Sequence, residues 1–129
     1  MDFSVDSEIG KLRQVILHRP GNEMLRLTPQ NKDHLLFDDV LWLDRAQEEH
    51  DQFARVLTDR DIEVLYLSDL LAQTLEVPEA RKYVLDRVVN ENTSGPSAAE
   101  PLRALADGMS GAELAEVLIA GITKAELLE

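Results

Sequence analysis

The stretch DRAQEEHDQFARVLTDRDIEVLYL, residues 44–67, decides the fold class, because its hydrophobic period changes within it from helical to extended. Residues 44–59 place apolar or packed side chains on one face at helical spacing, which predicts an amphipathic helix. Residues 62–67 form a short run of aliphatic and β-branched residues, which predicts a buried strand. The predicted helical face consists of Ala46, His50, Phe53, Ala54 and Leu57.

A second strand is predicted upstream, at residues 11–18, where an aliphatic run is ended by Pro20 and Gly21. Strand, helix and strand in this order predict a parallel pair joined by a crossover helix. Two strands cannot close a sheet core, so we expect further partner strands from outside this segment.

Beyond Ser68 the hydrophobic period is helical. Pro78 suits the first turn of one helix, Pro101 lies near the start of another, and residues 90–99 have the composition of a linker. Capping boxes at Ser110 and Thr123 open two further helices, and Gly121 ends the first of these two. The predicted organisation is therefore an α/β part, residues 1–68, followed by an all-helical part, residues 69–129.

Composition narrows the function classes. The chain has 129 residues, 44% of them hydrophobic, a net charge of −12, and no cysteine. It has no basic face for nucleic acid and no run long enough to span a membrane, so neither partner is expected and a cytoplasmic location is predicted. Acidity favours a cationic small molecule over an anionic one. Disulfides, thiolate metal sites and a cysteine nucleophile are excluded within these residues.

Asp38 and Asp39 are the most informative charged pair. Adjacent carboxylates in a loop can hold a guanidinium or an amine through charge-assisted hydrogen bonds. The competing interpretation is a solvated acidic turn, and the residues alone favour that one.

The remaining chemistry is sparse. His18 ends a strand, His34 is expected at the surface, and His50 is expected to be a packed, hydrogen-bonded residue of the helix. Metal-ligand spacing, a serine nucleophile elbow and a glycine-rich phosphate loop are all missing from the sequence. No catalytic residue and no metal ligand is predicted in this chain.

Several strings occur in an order and at a spacing that resemble the amino-terminal part of bacterial arginine deiminases. Related guanidino-modifying enzymes, such as agmatine deiminases and amidinotransferases, are disfavoured by the helical part and by the string LFDD. The last string, 120–123, is similar to the end of the family's helical insertion. The strings are 7–21 (SEIGKLRQVILHRPG), 27–29 (LTP), 35–39 (LLFDD), Ala46 with Glu49, His50 and Phe53, 62–65 (IEVL), 69–71 (DLL) and 120–123 (AGIT).

The resemblance implies hydrolysis of L-arginine to L-citrulline and ammonia, without a cofactor, on an α/β propeller of ββαβ modules with an all-helical insertion. Residues 1–68 would begin the propeller, and residues 69–129 would form the insertion. The family's cysteine nucleophile, histidine acid/base and guanidinium-binding carboxylates lie downstream of the matched region. The resemblance further implies that Leu36 and Asp38 or Asp39 line the substrate mouth of an intact enzyme.

Because the chain lacks cysteine, we expect it to be inactive alone, as an amino-terminal fragment of the enzyme. The alternative is a stand-alone, non-enzymatic interaction module derived from the family, binding through its exposed sheet edge. In either case the uncovered apolar sheet face predicts self-association, so a homo-oligomer is expected.

Overall fold

The computed structural model describes residues 4–5 and 7–127. Within them the chain is mixed α/β and mostly helical, with one small sheet. In chain order the elements are β1 (Gln14–Leu17), a 3₁₀ helix (Asn22–Arg26), α1 (Leu43–Thr58), β2 (Glu63–Tyr66), α2 (Leu67–Leu75), α3 (Pro78–Val88), α4 (Glu91–Ser94), α5 (Ala99–Asp107), α6 (Gly111–Ala120) and α7 (Lys124–Leu127).

The sheet confirms the predicted crossover. β1 and β2 pair in parallel, with Gln14 opposite Glu63 and Leu17 opposite Tyr66, and α1 connects them. Both strands are shorter than predicted: β1 lacks residues 11–13 and 18, while β2 lacks residue 62 and ends where α2 begins at Leu67. In the part of the chain that the structure describes, this sheet has two strands.

Helix α1 packs on β2 with only part of its apolar face. Ala54 is buried and His50 contacts the Tyr66 ring, with 6.2 Å between ring centroids. Phe53, predicted on the buried face, is instead 51% exposed. Two four-residue strands are too narrow to cover the whole stripe, and Phe53 lies at its edge.

The hydrophobic core lies in the helical part. It is built around Leu75, Leu85 and Leu114, whose side chains are almost fully buried, and α2 packs closely on α6. Gly111 makes this approach feasible, since a Cβ there would lie 2.4 Å from the Ala72 carbonyl oxygen. The other members of the core cluster are Ala106 and Ala115, with Leu71, Ala72, Val84, Val89, Met109 and Leu118 packed against it.

Most predicted helix ends are confirmed. Pro78 begins α3, Ser110 and Glu113 form the capping box of α6, and Gly121 ends that helix with φ 74°. Thr123 and Glu126 form the predicted reciprocal bonds at α7.

The predicted linker at residues 90–99 is wrong in part, because it contains α4. The Asn90 side chain accepts hydrogen bonds from the Asn92 and Thr93 N–H groups, and Thr93 Oγ1 accepts from the Asn90 N–H. These bonds satisfy the first turn of a short helix and override the linker-like composition.

Candidate functional site

The candidate site is the segment of residues 28–39, which we call the acidic loop. It carries one lysine against three aspartates and lies between the 3₁₀ helix and α1. Leu27, just before it, is buried and fixes its first end, whereas residues 33–39 are all exposed. The loop therefore presents its side chains to solvent from a fixed base.

Thr28 and Asn31 shape the start of the acidic loop. The Thr28 N–H donates to Asn31 Oδ1 over 2.8 Å, and the Asn31 N–H donates to Thr28 Oγ1 over 3.2 Å. The Asn31 amide also donates to the Arg26 carbonyl oxygen at 2.9 Å. This reciprocal pair closes a turn that the backbone alone would leave loose.

Lys32 organises the second half of the loop. Its ammonium donates to an Asp33 carboxylate oxygen and to the Asp38 carbonyl oxygen, each at 2.8 Å, while its own carbonyl accepts from the Phe37 N–H at 2.9 Å. The contacts of Lys32 with Phe37 and Asp38 hold the end of the LLFDD string against the preceding turn.

The three predicted substrate-binding residues all lie in the exposed segment 33–39. Leu36 has φ 61°, a left-handed conformation that is rare for leucine, and its side chain is 93% exposed. Asp39 Oδ1 accepts from the Val40 N–H at 2.7 Å, whereas no described residue donates to the Asp38 carboxylate. The loop thus offers a solvent-facing carboxylate pair beside an apolar side chain, a combination suited to a cation with an aliphatic stem.

Residues 33–39 of the acidic loop lie open to solvent. Two shallow grooves lie elsewhere in the described part of the chain: one of about 510 Å³ between Met109 and Val117, and one of about 330 Å³ between the 3₁₀ helix and the end of α6. Neither is lined by Leu36, Asp38 or Asp39. Among the described residues, the acidic loop is thus separate from both of these grooves.

One salt bridge and one neutral hydrogen bond hold the segment that follows β1. Arg19 donates to both carboxylate oxygens of Asp51 at 2.8 and 3.0 Å, and Gln47 donates to the Pro20 carbonyl at 2.8 Å. The hydrogen bonds and positive charge of Arg19 lower the pKa of Asp51. These contacts hold the end of β1 against α1.

His18 lies at the same turn and pairs with Glu23, with 2.8 Å between His18 Nε2 and Glu23 Oε1. Partial burial of Glu23 opposes its ionisation, but hydrogen bonds from the Gly21 N–H and from His18 outweigh that effect and lower its pKa. His18 thus lies one residue beyond β1, close to the strand end at which the sequence placed it.

The prediction for His50 is wrong in one respect. Its Nδ1 is buried, and among the described residues nothing donates to it or accepts from it. The ring instead packs edge-on against Phe53 and tilted against Tyr66.

The described residues also contain no cluster of three or more metal-ligating side chains, and none of their helices is long and apolar enough to cross a membrane.

Sequence reasoning missed Arg26, Asn31 and Lys32, which shape the acidic loop. The Thr28–Asn31 spacing was a usable signal, because a hydroxyl and an amide three residues apart can cap each other. The partners of Arg26 lie 94 to 100 residues away, so no local pattern marks it.

Comparison with known proteins matches this chain to one family over most of its length. The family model described as "Arginine deiminase" matches residues 33–129. The chain is 52% identical over 126 residues to an arginine deiminase of Rhodococcus erythropolis and 50% identical over 126 residues to one of Rhodococcus opacus. It is 49% identical over 128 residues to one of Mycobacterium avium.

These alignments cover 97% to 98% of this chain but only 31% to 32% of each relative. The chain thus spans about a third of the length of the curated relatives it matches.

Proposed function

The chain belongs to the arginine deiminase family, and from this premise we propose that it forms the amino-terminal part of a cytoplasmic enzyme that hydrolyses L-arginine to L-citrulline and ammonia. The observation that carries the proposal is identity of about half of all positions across nearly the whole chain with three proteins named arginine deiminase. The string LLFDD falls within the matched family region.

Within that enzyme, we propose that residues 1–68 begin an α/β propeller and that residues 69–129 form a helical insertion. The parallel pair β1–β2 with its crossover helix supports the first assignment. The concentration of the hydrophobic core in α2, α3, α5 and α6 supports the second. A two-stranded sheet with exposed apolar side chains needs neighbouring structure to cover it, and the following modules of a propeller would supply that cover.

The acidic loop is proposed to form one wall of the substrate mouth. Arginine carries a planar cation on an aliphatic stem, so the exposed Leu36 would contact the methylenes while Asp38 or Asp39 attracts the guanidinium or the α-amino group. No described residue donates a hydrogen bond to the Asp38 carboxylate, so this group is available to bind a cation. The role of this loop is recognition and not bond cleavage.

Bond cleavage is proposed to depend on residues outside this chain. The proposed chemistry attacks the guanidinium carbon with a thiolate, and these 129 residues contain no cysteine. We therefore expect no citrulline release from the chain alone, no requirement for a metal or organic cofactor, and assembly into a homo-oligomer through the exposed apolar face.

A chimera tests the proposal directly. This chain would replace the matching 126 residues of the Rhodococcus erythropolis arginine deiminase, and citrulline release from L-arginine would be measured. We expect arginine-dependent release from the chimera and background release from the 129-residue chain. An inactive but folded chimera would favour the stand-alone interaction module, and turnover by the chain alone would overturn the assignment of cleavage to other residues.

The carboxylates are then tested within the chimera. Asp38→Asn or Asp39→Asn is expected to raise the KM for L-arginine by about tenfold, the effect of losing one charged hydrogen bond. Asp33→Asn is the matched control, because Asp33 lies in the same loop but is already paired with Lys32. An equal rise in all three variants would argue against specific recognition by Asp38 and Asp39.

A further inference from the structure

We propose that Arg26 is a positioning residue for the acidic loop: it fastens the base of the loop to the carboxyl end of α6, so that the helical part of the chain sets where Leu36, Asp38 and Asp39 lie. The functional consequence rests on the proposed role of the loop in arginine binding. The mechanical part stands on contacts within this chain alone.

The Arg26 guanidinium reaches across the fold to three separate groups. Its Nε donates to the Ala120 carbonyl oxygen and its Nη2 to the Gly121 carbonyl oxygen, each at 3.2 Å. The same Nη2 lies 3.1 and 3.2 Å from the two Glu126 carboxylate oxygens. The last carbonyls of a helix lack partners within it, so a cation is favoured at this place by hydrogen bonding and by the helix dipole.

The main chain of Arg26 supports the loop. Its carbonyl oxygen accepts from the Asn31 amide at 2.9 Å, and Asn31 in turn closes the turn with Thr28. The next residue, Lys32, holds both Phe37 and Asp38 through its carbonyl and its ammonium. Hydrogen bonds and one peptide link therefore lead from the end of α6 through Arg26, Asn31 and Lys32 to Asp38, one of the predicted substrate contacts.

A second contact holds the other end of the 3₁₀ helix to the same helix. The Asn22 amide donates to the Glu116 carboxylate at 2.8 Å. Two attachment points, at Asn22 and Arg26, fix the direction of the 3₁₀ helix as well as its position. Because Arg26 is its last residue, a change there acts directly on the segment that follows.

Gly121 presents one of the carbonyls that Arg26 binds. Its φ of 74° belongs to the left-handed region, which residues with a Cβ adopt at a cost, although the space around it is open. Gly95 has φ 81° with equally open surroundings, but it follows α4 and makes no contact with Arg26. The two glycines are thus a matched pair that separates ordinary backbone strain from disturbance of the Arg26 contact.

The test compares amide hydrogen exchange, measured by NMR, in the 129-residue chain and four variants. Arg26→Gln and Gly121→Ala should disturb the loop, while Arg103→Gln, which breaks the ion pair with Asp86, and Gly95→Ala are the controls. The reporters are the amides of Leu35, Leu36 and Phe37, which bond within the loop. We expect their exchange to rise at least about threefold in Arg26→Gln and Gly121→Ala only, with α2 and α6 amides unchanged.

Unchanged loop exchange in Arg26→Gln, or an equal rise in the controls, would overturn the positioning role. Loss of protection in α2 and α6 would identify a variant that fails to fold. If either Arg26→Gln or Gly121→Ala fails in this way, loop exchange in the other of these two variants tests the proposal. In the chimera, Arg26→Gln should raise the KM for L-arginine and leave kcat nearly unchanged. If exchange rises as expected while Asp38→Asn and Asp39→Asn leave KM unaltered, the proposed function of the loop fails and the positioning role of Arg26 stands.

Discussion

The Gly111 N–H donates a hydrogen bond of 2.5 Å to the Glu76 carboxylate, joining the end of α2 to the first turn of α6. A carboxylate at a helix amino terminus accepts a hydrogen bond from a free N–H, and its negative charge interacts favourably with the positive end of the helix dipole. The contact needs close approach, since a Cβ on Gly111 would lie 2.6 Å from Glu76 Oε1 as well as against the Ala72 carbonyl.

Gly111→Ala should therefore destabilise the chain by about 2–3 kcal/mol, because the Ala72 carbonyl belongs to a helix and cannot move aside cheaply. Gly108→Ala is the matched control: it lies three residues earlier, has an ordinary helical φ of −84°, and its Cβ would meet its nearest neighbour at 3.6 Å. That change should be neutral or stabilise by up to about 1 kcal/mol. Urea unfolding measures both, and equal effects would contradict the packing argument.

Asp86 gives the chain a pH-dependent link between α3 and α5. Hydrogen bonds from Lys82 and then from Arg103 lower the pKa of Asp86. Because this pKa is lower in the folded chain, its contribution to stability is complete at neutral pH and is lost as pH falls below the ordinary aspartate value of about 4.

Asp86→Asn should lower the urea midpoint at pH 7, and the difference from the unaltered chain should shrink as the pH is reduced below about 4. Comparing the two chains at each pH removes the general effect of protonation on a molecule of net charge −12. A difference that stays constant with pH would show that Asp86 acts through packing and not through its charge.

Local patterns in the sequence predicted the elements well, and long-range contacts account for what was missed. The α1 and β2 periods, Pro78 and the two capping boxes each depend on residues within a few positions, so the sequence displays them directly. The 3₁₀ helix and the role of Arg26 depend on the end of α6. Residues nearly a hundred positions apart leave no spacing to recognise.

Burial was the least predictable property. His50 and Phe53 have the helical spacing typical of a buried face. Phe53 is nevertheless half exposed, and the buried Nδ1 of His50 has no hydrogen-bond partner among the described residues. Amphipathic spacing identifies the side of a helix that can be covered, and the width of the covering sheet then decides how much of it is. Leu36, Asp38 and Asp39 were correctly placed in one loop, whereas their binding role stays a prediction.

Exposed apolar side chains on the α/β part predict concentration-dependent self-association. Ile16 on β1 is 58% exposed and Trp42, just before α1, is 71% exposed. Sedimentation velocity across a range of concentrations should reveal reversible association, which Ile16→Ser weakens. Tyr83→Ser is the control, since Tyr83 is equally exposed but lies on α3. A monomer that withstands high concentration, or equal weakening by both changes, would contradict association through the sheet.

Leu36 allows backbone strain and substrate recognition to be separated. Leu36 has φ 61°, and Asp61, which lies after α1 and outside the acidic loop, has a similar φ of 57°. Leu36→Gly and Asp61→Gly should each change stability by no more than about 1 kcal/mol, because relief of the left-handed strain offsets the added freedom of the unfolded chain. Leu36 loses little burial, since its side chain is already exposed.

In the chimera the two changes should diverge. Leu36→Gly removes the apolar contact proposed for the methylenes of arginine, so KM should rise by about tenfold, as expected for one buried aliphatic contact of roughly 1.5 kcal/mol. Asp61→Gly should leave KM as it was. Kinetics of citrulline release and urea unfolding are measured on the same preparations. If the rise in KM is proportional to the loss of stability in both variants, Leu36 shapes the loop without touching substrate.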